Sequence, residues 1–289
     1  MKARIVIGAN YGDEGKGTVV ATYTKQSDNV LNVLTNGGSQ RGHSILTQNG
    51  SITFQHFGAG TYHGADNYYS RFFILNPLQF AKEYESLIVK PKNIYRDRIC
   101  RWSTPYDCMA NLIEEEQKGR KASCGMGIWN TIKRCNHTPI VLFDEFLSNS
   151  NPIDFLNQVK SYYERLITIP DKWKDVWDSP VVKTHFLKDC QFMASHTKVC
   201  DLASLAYDNV IFENGQGLLL CDTGKNTFDT TPSNTDSLYA TQLLREMQID
   251  DATIHYVTRP YLTRHGDGHL PKQAKGKVHG RSQKLTEAV

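Results

Sequence analysis

The sequence predicts an α/β protein with a mainly parallel central sheet and covering helices, and two observations support this fold class. Short apolar runs at 4–8, 31–35, 140–144, 209–213 and 253–257 alternate with longer amphipathic stretches. This alternation is typical of parallel strands joined by crossover helices. Polar, glycine-bearing segments follow several of these runs directly. Since ligands of open α/β sheets bind outside the carboxyl ends of the strands, these segments are the candidate site.

Two of the connecting stretches show the apolar spacing of a helix. The segments 105–117 and 152–167 each begin at a proline and repeat apolar residues three and four positions apart. Proline is favoured in the first turn of a helix, and this spacing gives one apolar face. We therefore predict two helices that cover the sheet.

Composition limits the classes of protein that the chain can represent. Its 289 residues are 39% hydrophobic and carry a net charge of +3, which allows a full core but is too little charge to indicate nucleic-acid binding. Seven cysteines form no Cys-x-x-Cys pair, so neither a disulfide framework nor a zinc site is indicated. The chain opens on a predicted strand, and no apolar run approaches the ~18 residues of a membrane span. We expect a soluble cytoplasmic protein.

The sequence shows no domain boundary before its last residues. No repeat, low-complexity block or Ser/Gly linker interrupts residues 1–271, which we predict to be a single α/β domain. Residues 272–289 are basic and have almost no apolar periodicity. We predict that this tail is disordered.

The segment Gly12-Asp13-Glu14-Gly15-Lys16-Gly17 is the most informative in the chain. Glycines around a lysine allow backbone N–H groups and one ammonium to close on a phosphate. The standard nucleotide-binding loop is not matched, because it needs glycine five residues before the Gly-Lys pair and Ser or Thr after it. A carboxylate inside such a loop is costly unless it holds a metal ion or moves a proton. We therefore favour chemistry on the phosphate over a simple tight turn.

A second glycine-bearing segment, 36–44, leaves the apolar run 31–35. In a parallel sheet it can face the same crevice as the first segment. His43 could donate a proton or hydrogen bond to a developing phosphate or purine oxygen, because its ordinary pKa is near neutrality. The alternative is a surface histidine, which the glycine-rich setting makes less attractive.

Four further segments carry weaker signals. A glycine-rich turn at 122–128 contains Cys124, which could equally be a packing residue. Gln216 lies between two glycines and could contact a base edge or cap a turn. The hydroxyl-rich segment 230–235 could bind phosphate or begin a helix. Arg264 could bind a phosphate or carboxylate, or form an exposed salt bridge.

Taken in order, these segments resemble motifs of the adenylosuccinate synthetase family from residue 3 to about 271. The segment 10–17 resembles Gln-Trp-Gly-Asp-Glu-Gly-Lys-Gly, and 36–44 resembles Asn-Gly-Gly-His-Asn-Ala-Gly-His-Thr. The segment 212–217 resembles Phe-Glu-Gly-Ala-Gln-Gly, 231–235 resembles Thr-Ser-Ser-Asn-Thr, and 261–264 resembles Tyr-Thr-Thr-Arg. The first of these motifs is highly specific.

The resemblance implies a homodimeric ligase that joins L-aspartate to IMP with GTP and Mg²⁺. Asp13 would withdraw the N1 proton of the purine and ligate magnesium, with the Gly42 carbonyl as a second ligand, and His43 would assist phosphate transfer. The implied triphosphate-binding residues are Glu14, Gly15, Lys16, Gly17, Gly42, His43 and Ser44. The implied monophosphate-binding residues are Asn10, Gln40, Ser123, Cys124, Arg134, Gln216, Thr231 and Arg264.

Departures from the family pattern leave alternatives open. Cys124 replaces a threonine of the family, and Arg134 is only a candidate for the arginine that reaches across the dimer. The family's arginine-rich aspartate loop and Lys-x-Asp guanine segment lie beyond the similarity, so a truncated nucleotide-binding remnant is one alternative. Another is the phage 2-aminoadenylosuccinate synthetase, which uses dGMP. Asp13 favours a 6-oxopurine without the extra amine, whereas the short chain favours the phage group. GTP and ATP both remain candidate donors.

Overall fold

The computed structural model describes residues 1–119, 123–221, 230–264, 270 and 284–285. Its strands in chain order are β1 (Lys2–Gly8), β2 (Val30–Leu34), β3 (Gly37–Gly38), β4 (His43–Thr47), β5 (Gly50–Phe54), β6 (Asp66–Tyr69), β7 (Phe73–Ile74), β8 (Ile94–Arg96), β9 (Lys198–Val199), β10 (Asn209–Gly217), β11 (Ala252–Val257), β12 (Thr263–Arg264) and β13 (Lys284–Leu285).

Seven strands form the central sheet in the order β11-β1-β10-β2-β6-β8-β9, and every neighbouring pair is parallel. Three two-stranded sheets join β3 with β7, β4 with β5, and β12 with β13. The predicted fold class, a mainly parallel sheet with covering helices, is therefore confirmed.

The α-helices are α1 (Lys16–Lys25), α2 (Pro77–Ser86), α3 (Pro105–Gln117), α4 (Ile128–His137), α5 (Phe143–Ser148), α6 (Pro152–Glu164), α7 (Asp171–Asp178), α8 (Pro180–His196) and α9 (Leu238–Glu246). Short 3₁₀ segments lie at Ala59–His63, Leu202–Ser204 and Leu218–Leu220. Both predicted helices are present. The first, α3, begins at a capping box in which the Thr104 and Asp107 side chains bond each other's backbone N–H, the usual way of satisfying the free N–H groups of a first turn.

Four of the five predicted strands are present, as β1, β2, β10 and β11. The fifth prediction, a strand at 140–144, is wrong because α5 begins at Phe143. The Glu145 carboxylate accepts the N–H of Leu142 at 3.1 Å and so caps this helix. Phe143 and Phe146, three residues apart, are both fully buried. A helical spacing of aromatic residues therefore decides the structure here rather than the continuous apolar run.

The central strands are buried on both faces, as parallel sheets require. One core cluster contains Val6, Leu34 and Ile211, and the other contains Ile7 and Phe212 from the opposite face. Because β10 lies between β1 and β2, the segments that follow these three strands emerge side by side. This strand order is what brings distant parts of the sequence into one crevice.

Most of the predicted tail, 272–289, lies outside the described residues. Two of its residues, Lys284 and Leu285, form β13 and pair antiparallel with β12. In the ranges that the structure covers, the helices are too short or too polar to cross a bilayer.

Candidate functional site

The first loop, which follows β1, is organised by the carboxylate of Glu14. Its Oε1 accepts the N–H groups of Asn10 and Gly12 at 3.0 and 2.8 Å, and its Oε2 accepts from the Lys16 Nζ at 2.8 Å. Burial raises the pKa of Glu14, but the Lys16 ammonium and the Gly12 N–H outweigh burial and leave that pKa below its ordinary value. Glu14 therefore braces the loop, and as a pure acceptor it offers no hydrogen bond to phosphate.

Two glycines allow this loop to pack closely. A Cβ on Gly8 would lie 2.2 Å from the Glu14 Oε2. A Cβ on Gly217, at the end of β10, would lie 2.2 Å from the Asn10 carbonyl oxygen and 2.4 Å from the Gly12 nitrogen. The shape of the first loop thus depends on the absence of a side chain in the neighbouring strand.

Replacing Gly217 by alanine is expected to destabilise the protein by about 1–3 kcal/mol, because the backbone atoms of Asn10 and Gly12 that the new methyl group meets cannot move aside easily. The φ angle of Gly217 is −122°, so alanine suffers no backbone strain there. Gly64→Ala is the matched control: it has φ of +83° and nothing within 4 Å, so it reports strain alone, about 1–2 kcal/mol. Urea unfolding measures both, and a loss well below about 1 kcal/mol for Gly217→Ala would contradict this packing.

The second loop meets the first one at the start of α1. A Cβ on Gly17 would lie 3.0 Å from the His43 Cβ and 2.9 Å from the Ser44 carbonyl oxygen. The Thr18 hydroxyl donates to that same oxygen at 3.4 Å. The two segments singled out from the sequence therefore converge, with the charged Lys16 beside His43.

The ring of His43 is hydrogen-bonded to the carboxylate of Glu213, a residue of β10. The ring Nδ1 is hydrogen-bonded to the Glu213 Oε1, and the N–H of Ala59 donates to the Glu213 Oε2 at 3.0 Å. Burial raises the pKa of Glu213, but the charge of Arg41 and the bond to His43 outweigh it and lower the pKa to about 2. Burial, together with the charges of Arg41 and Lys16, lowers the pKa of His43 despite the carboxylate.

Asn36 ties the second loop to two other segments. Its Nδ2 donates to the Ser233 hydroxyl and the Asn234 carbonyl at 3.1 and 3.0 Å, and its Oδ1 accepts the N–H of Gly215 at 2.7 Å. The hydroxyl-rich segment, including Thr231, is thereby anchored next to the end of β10.

The side-chain amides of Gln40 and Gln216 lie close to Gly37 in the second loop. The carbonyl oxygen of Gln40 accepts from the Cys124 thiol at 3.7 Å, and a Cβ on Gly37 would lie 3.0 Å from the Gln40 Nε2 and 3.4 Å from the Gln216 Oε1. The Oε1 atoms of Gln40 and Gln216 are buried without a hydrogen-bond partner among the described residues. Buried polar atoms of this kind mark a place where a polar ligand can bind. The neighbouring Ser123 hydroxyl donates to the Asn111 Oδ1 at 3.2 Å.

The segment around β12 covers the first loop. The Thr263 hydroxyl donates to the Gly12 carbonyl at 2.7 Å, and the Arg264 guanidinium carbon lies 5.3 Å from the centre of the Tyr11 ring. The Asn10 Nδ2 donates to the Thr258 hydroxyl at 2.8 Å. Arg264 and Asn10 are therefore at the predicted site, although they are far apart in sequence.

Arg134 is not brought to this crevice, so its predicted role at the monophosphate is not retained. Its Nε and Nη2 donate to the two oxygens of Asp107 at 2.8 and 3.0 Å, and its Nη2 also donates to the Trp102 carbonyl at 3.0 Å. The Tyr163 hydroxyl donates to the same carboxylate at 2.6 Å. With 4% of its surface exposed, Arg134 is a buried structural cation.

The predicted magnesium ligands, the Asp13 carboxylate and the Gly42 carbonyl, are hard oxygen donors on the two converging loops. Among the described residues, no group of three or more His, Cys, Asp and Glu side chains could hold a metal ion. Mg²⁺ commonly binds through one or two carboxylates together with phosphate oxygens, so a sparse protein ligand set fits it. Asp13 adopts a left-handed backbone with φ of +63°, which aspartate tolerates better than most residues.

Glu213, Arg41 and Asn36 lie within the motifs described above but are not among the site residues predicted from the sequence. The available signal was a charged residue at the end of an apolar strand, Ile211-Phe212-Glu213, because a buried charge needs partners.

The fold and the site together define an α/β protein whose polar residues converge at the carboxyl ends of adjacent parallel strands. The adenylosuccinate synthetase family model matches residues 5–288, and the chain belongs to this family of ligases. The resemblance stated from the motifs is confirmed.

Individual relatives agree with this assignment. Adenylosuccinate synthetases of Francisella tularensis subsp. tularensis (strain WY96-3418) and subsp. novicida (strain U112) are each 26% identical over 285 residues, or 93% of this chain. The chain spans 65% of the length of these relatives.

Two solved structures share the fold. A fully ligated adenylosuccinate synthetase from Plasmodium falciparum has a TM-score of 0.73 at 18% identity, covering 96% of this chain and 66% of that one. Succinoaminodeoxyadenylate synthetase of cyanophage S-2L, bound to dGMP and dATP, has a TM-score of 0.63 at 13% identity, covering 98% of this chain and 77% of that one.

Proposed function

We propose that this protein is a purine-nucleotide ligase of the adenylosuccinate synthetase type, which joins L-aspartate to the 6-position of IMP or a related monophosphate. GTP drives the reaction by phosphorylating the 6-oxygen. The single observation that carries the proposal is the convergence of the two loops, in which Gly17 packs against His43 and the Lys16 ammonium lies close by.

In the first proposed step, Asp13 takes the N1 proton of the purine and the 6-oxygen attacks the γ-phosphorus. A bond forms between the 6-oxygen and phosphorus, the bond from phosphorus to the bridging oxygen breaks, and GDP leaves. Lys16 and the N–H groups of Gly15, Gly17 and Gly42 stabilise the phosphate charge, which is the largest requirement of such a transition state. Mg²⁺ held by Asp13 and the Gly42 carbonyl would neutralise further phosphate charge.

His43 assists this transfer through Nε2, because Nδ1 is already bonded to Glu213. The Ser44 hydroxyl, which is 2.8 Å from the Thr53 hydroxyl, is a further phosphate contact. In the second step, the neutral amine of aspartate attacks C6 and the bond between C6 and oxygen breaks, so that phosphate leaves and takes up the proton that the amine gives off.

The monophosphate binds next to this centre. Gln40 and Gln216 offer their buried amides, and Cys124 closes one side through its contact with Gln40. The remaining proposed contacts are Asn10, Ser123, Thr231 and Arg264. We also propose a cytoplasmic homodimer, which the family resemblance supports.

A second candidate uses dGMP as the monophosphate and ATP or dATP as the donor. The observation that favours it is the shared fold with the phage enzyme, of which this chain covers a larger share than of the longer relatives. A nucleotide-binding remnant without turnover is the third possibility. Asp13 argues against the remnant, because a carboxylate near a triphosphate weakens simple binding.

A phosphate-release screen separates these candidates. IMP, GMP and dGMP are each combined with GTP, ATP or dATP, with and without L-aspartate and Mg²⁺. We expect release that requires IMP, GTP, aspartate and Mg²⁺ together, and chelation with EDTA should abolish it. Release with dGMP alone among the monophosphates would favour the phage reaction. Tight binding of a nucleotide without release under any combination would contradict the ligase.

A further inference from the structure

Arg41 is a buried cation whose charge acts on His43. Its Nη1 donates to the Glu213 carbonyl and its Nη2 to the Phe57 carbonyl, both at 3.3 Å. The Nη2 also lies 3.7 Å from the Glu213 Oε1, and both side chains are fully buried. The guanidinium carbon lies 5.5 Å from the centre of the Phe73 ring. Arg41 therefore touches both the backbone and the carboxylate of Glu213.

Gly215 faces the stem of the Arg41 side chain. A Cβ on Gly215 would lie 3.0 Å from the Arg41 Cδ, 3.3 Å from its Cγ and 3.3 Å from the Asn36 carbonyl oxygen. The long side chain of Arg41 and the missing side chain of Gly215 are therefore complementary in space.

The carboxylate of Glu213 links Arg41 to His43. It faces the His43 Nδ1 and the Ala59 N–H, and a carboxylate can only accept hydrogen bonds. Nδ1 must consequently carry a proton, and Nε2 is the ring nitrogen left for the substrate. This is the usual way in which a carboxylate sets the tautomer and orientation of a histidine.

We propose that Arg41 and Glu213 are positioning residues that act through His43, and that Gly215 provides the space for Arg41. Glu213 orients the ring and holds the proton on Nδ1, while Arg41 holds Glu213 in place. The catalytic part of this inference rests on the proposed function, whereas the coupling of the three residues does not.

A double-mutant cycle tests the coupling of Arg41 and Gly215. In the wild-type background, Gly215→Ala is expected to lower Tm by roughly 2–10 °C, because the added methyl group meets Arg41. In the Arg41→Ala background, the same change is expected to lower Tm much less or to raise it. An equal loss of Tm in both backgrounds would overturn the complementarity of these residues.

Nitrogen-15 NMR of the His43 ring, recorded while the ring is neutral, tests the positioning role. The Nδ1–H tautomer is expected in the wild type and in Glu213→Gln, which keeps an acceptor oxygen. It is expected to be lost in Glu213→Ala and weakened in Arg41→Ala. Arg96→Ala is the control, because Arg96 is a buried arginine bonded to Thr197 and Asp144 elsewhere in the fold, and it should lower Tm without changing the tautomer.

Kinetics complete the test. Glu213→Ala is expected to lower kcat by about 10- to 100-fold, as for other residues that orient a catalytic histidine, with KM for the triphosphate almost unchanged. Glu213→Gln should restore most of kcat. An unchanged tautomer in Glu213→Ala and Arg41→Ala would overturn the proposal. The Tm cycle and the NMR need no substrate. If the protein lacks the proposed ligase activity, these two measurements still show whether Arg41, Glu213 and His43 are coupled.

Discussion

Replacing Asp13 by asparagine is expected to reduce turnover by about 10²- to 10⁴-fold while leaving the affinity for the monophosphate almost unchanged. Asparagine keeps the size of the side chain and tolerates the left-handed backbone at φ of +63°, so the loop should retain its shape. The change removes a base for the N1 proton and replaces a charged Mg²⁺ ligand by a neutral amide oxygen. Phosphate release and calorimetric Kd values for both nucleotides measure the effect.

The matched control for this variant is Asp28→Asn, which makes the same chemical change at an exposed position. It should leave both turnover and affinity as in the wild type. Unchanged turnover in Asp13→Asn would remove Asp13 from the mechanism. A large loss of triphosphate affinity with unchanged kcat would instead make it only a binding residue.

Replacing Arg134 by methionine is expected to destabilise the protein by about 3–5 kcal/mol. The change leaves the carboxylate of Asp107 buried and unpaired, and breaking such a pair on one side is strongly unfavourable. The carboxylate of Asp107 also accepts a hydrogen bond from the Tyr163 hydroxyl at 2.6 Å, so it cannot rotate toward water without breaking that bond. Urea unfolding measures the loss, and KM for the monophosphate is measured where the variant is still folded.

Lys160→Met provides the comparison for Arg134. Lys160 forms partly exposed ion pairs with Glu164 and Asp178, and removing a pair of this kind costs about 0–1 kcal/mol. KM for the monophosphate should be unchanged in both variants. A stable Arg134→Met protein with a strongly raised KM would return Arg134 to the binding site.

The parts of the fold that the sequence predicted are those with local signals. The loop at 12–17 is predicted by glycines around a lysine, and the helix α3 by a proline followed by helical spacing of apolar residues. The strand β10 was recognised for the same reason, as an apolar run that ends in a polar motif. Their positions in the site then followed from the general behaviour of parallel sheets.

What the sequence did not predict depends on distant partners. The strands β6 and β8 are short and contain buried polar residues, Asn67 and Arg96, whose partners lie in other elements. Asn67, for example, accepts the N–H of Gly58 at 2.8 Å. Arg134 and Asp107, which pair across two helices, are 27 residues apart in sequence. No local pattern shows that the charge of Arg134 is already neutralised. Glu213 and His43 are 170 residues apart in sequence, so no local pattern predicts their contact either.

Positional isotope exchange tests the central claim, that Asp13 and His43 on two converging loops promote phosphoryl transfer from the triphosphate to a purine oxygen before aspartate reacts. A triphosphate labelled with oxygen-18 in the bridge between the β- and γ-phosphorus is incubated with Mg²⁺ and the monophosphate, without aspartate. We predict that the label scrambles into the non-bridging β-oxygens, that scrambling requires the monophosphate, and that Asp13→Asn and His43→Asn abolish it. Phosphate release that requires aspartate without any such scrambling, or scrambling that persists in both variants, would contradict the account.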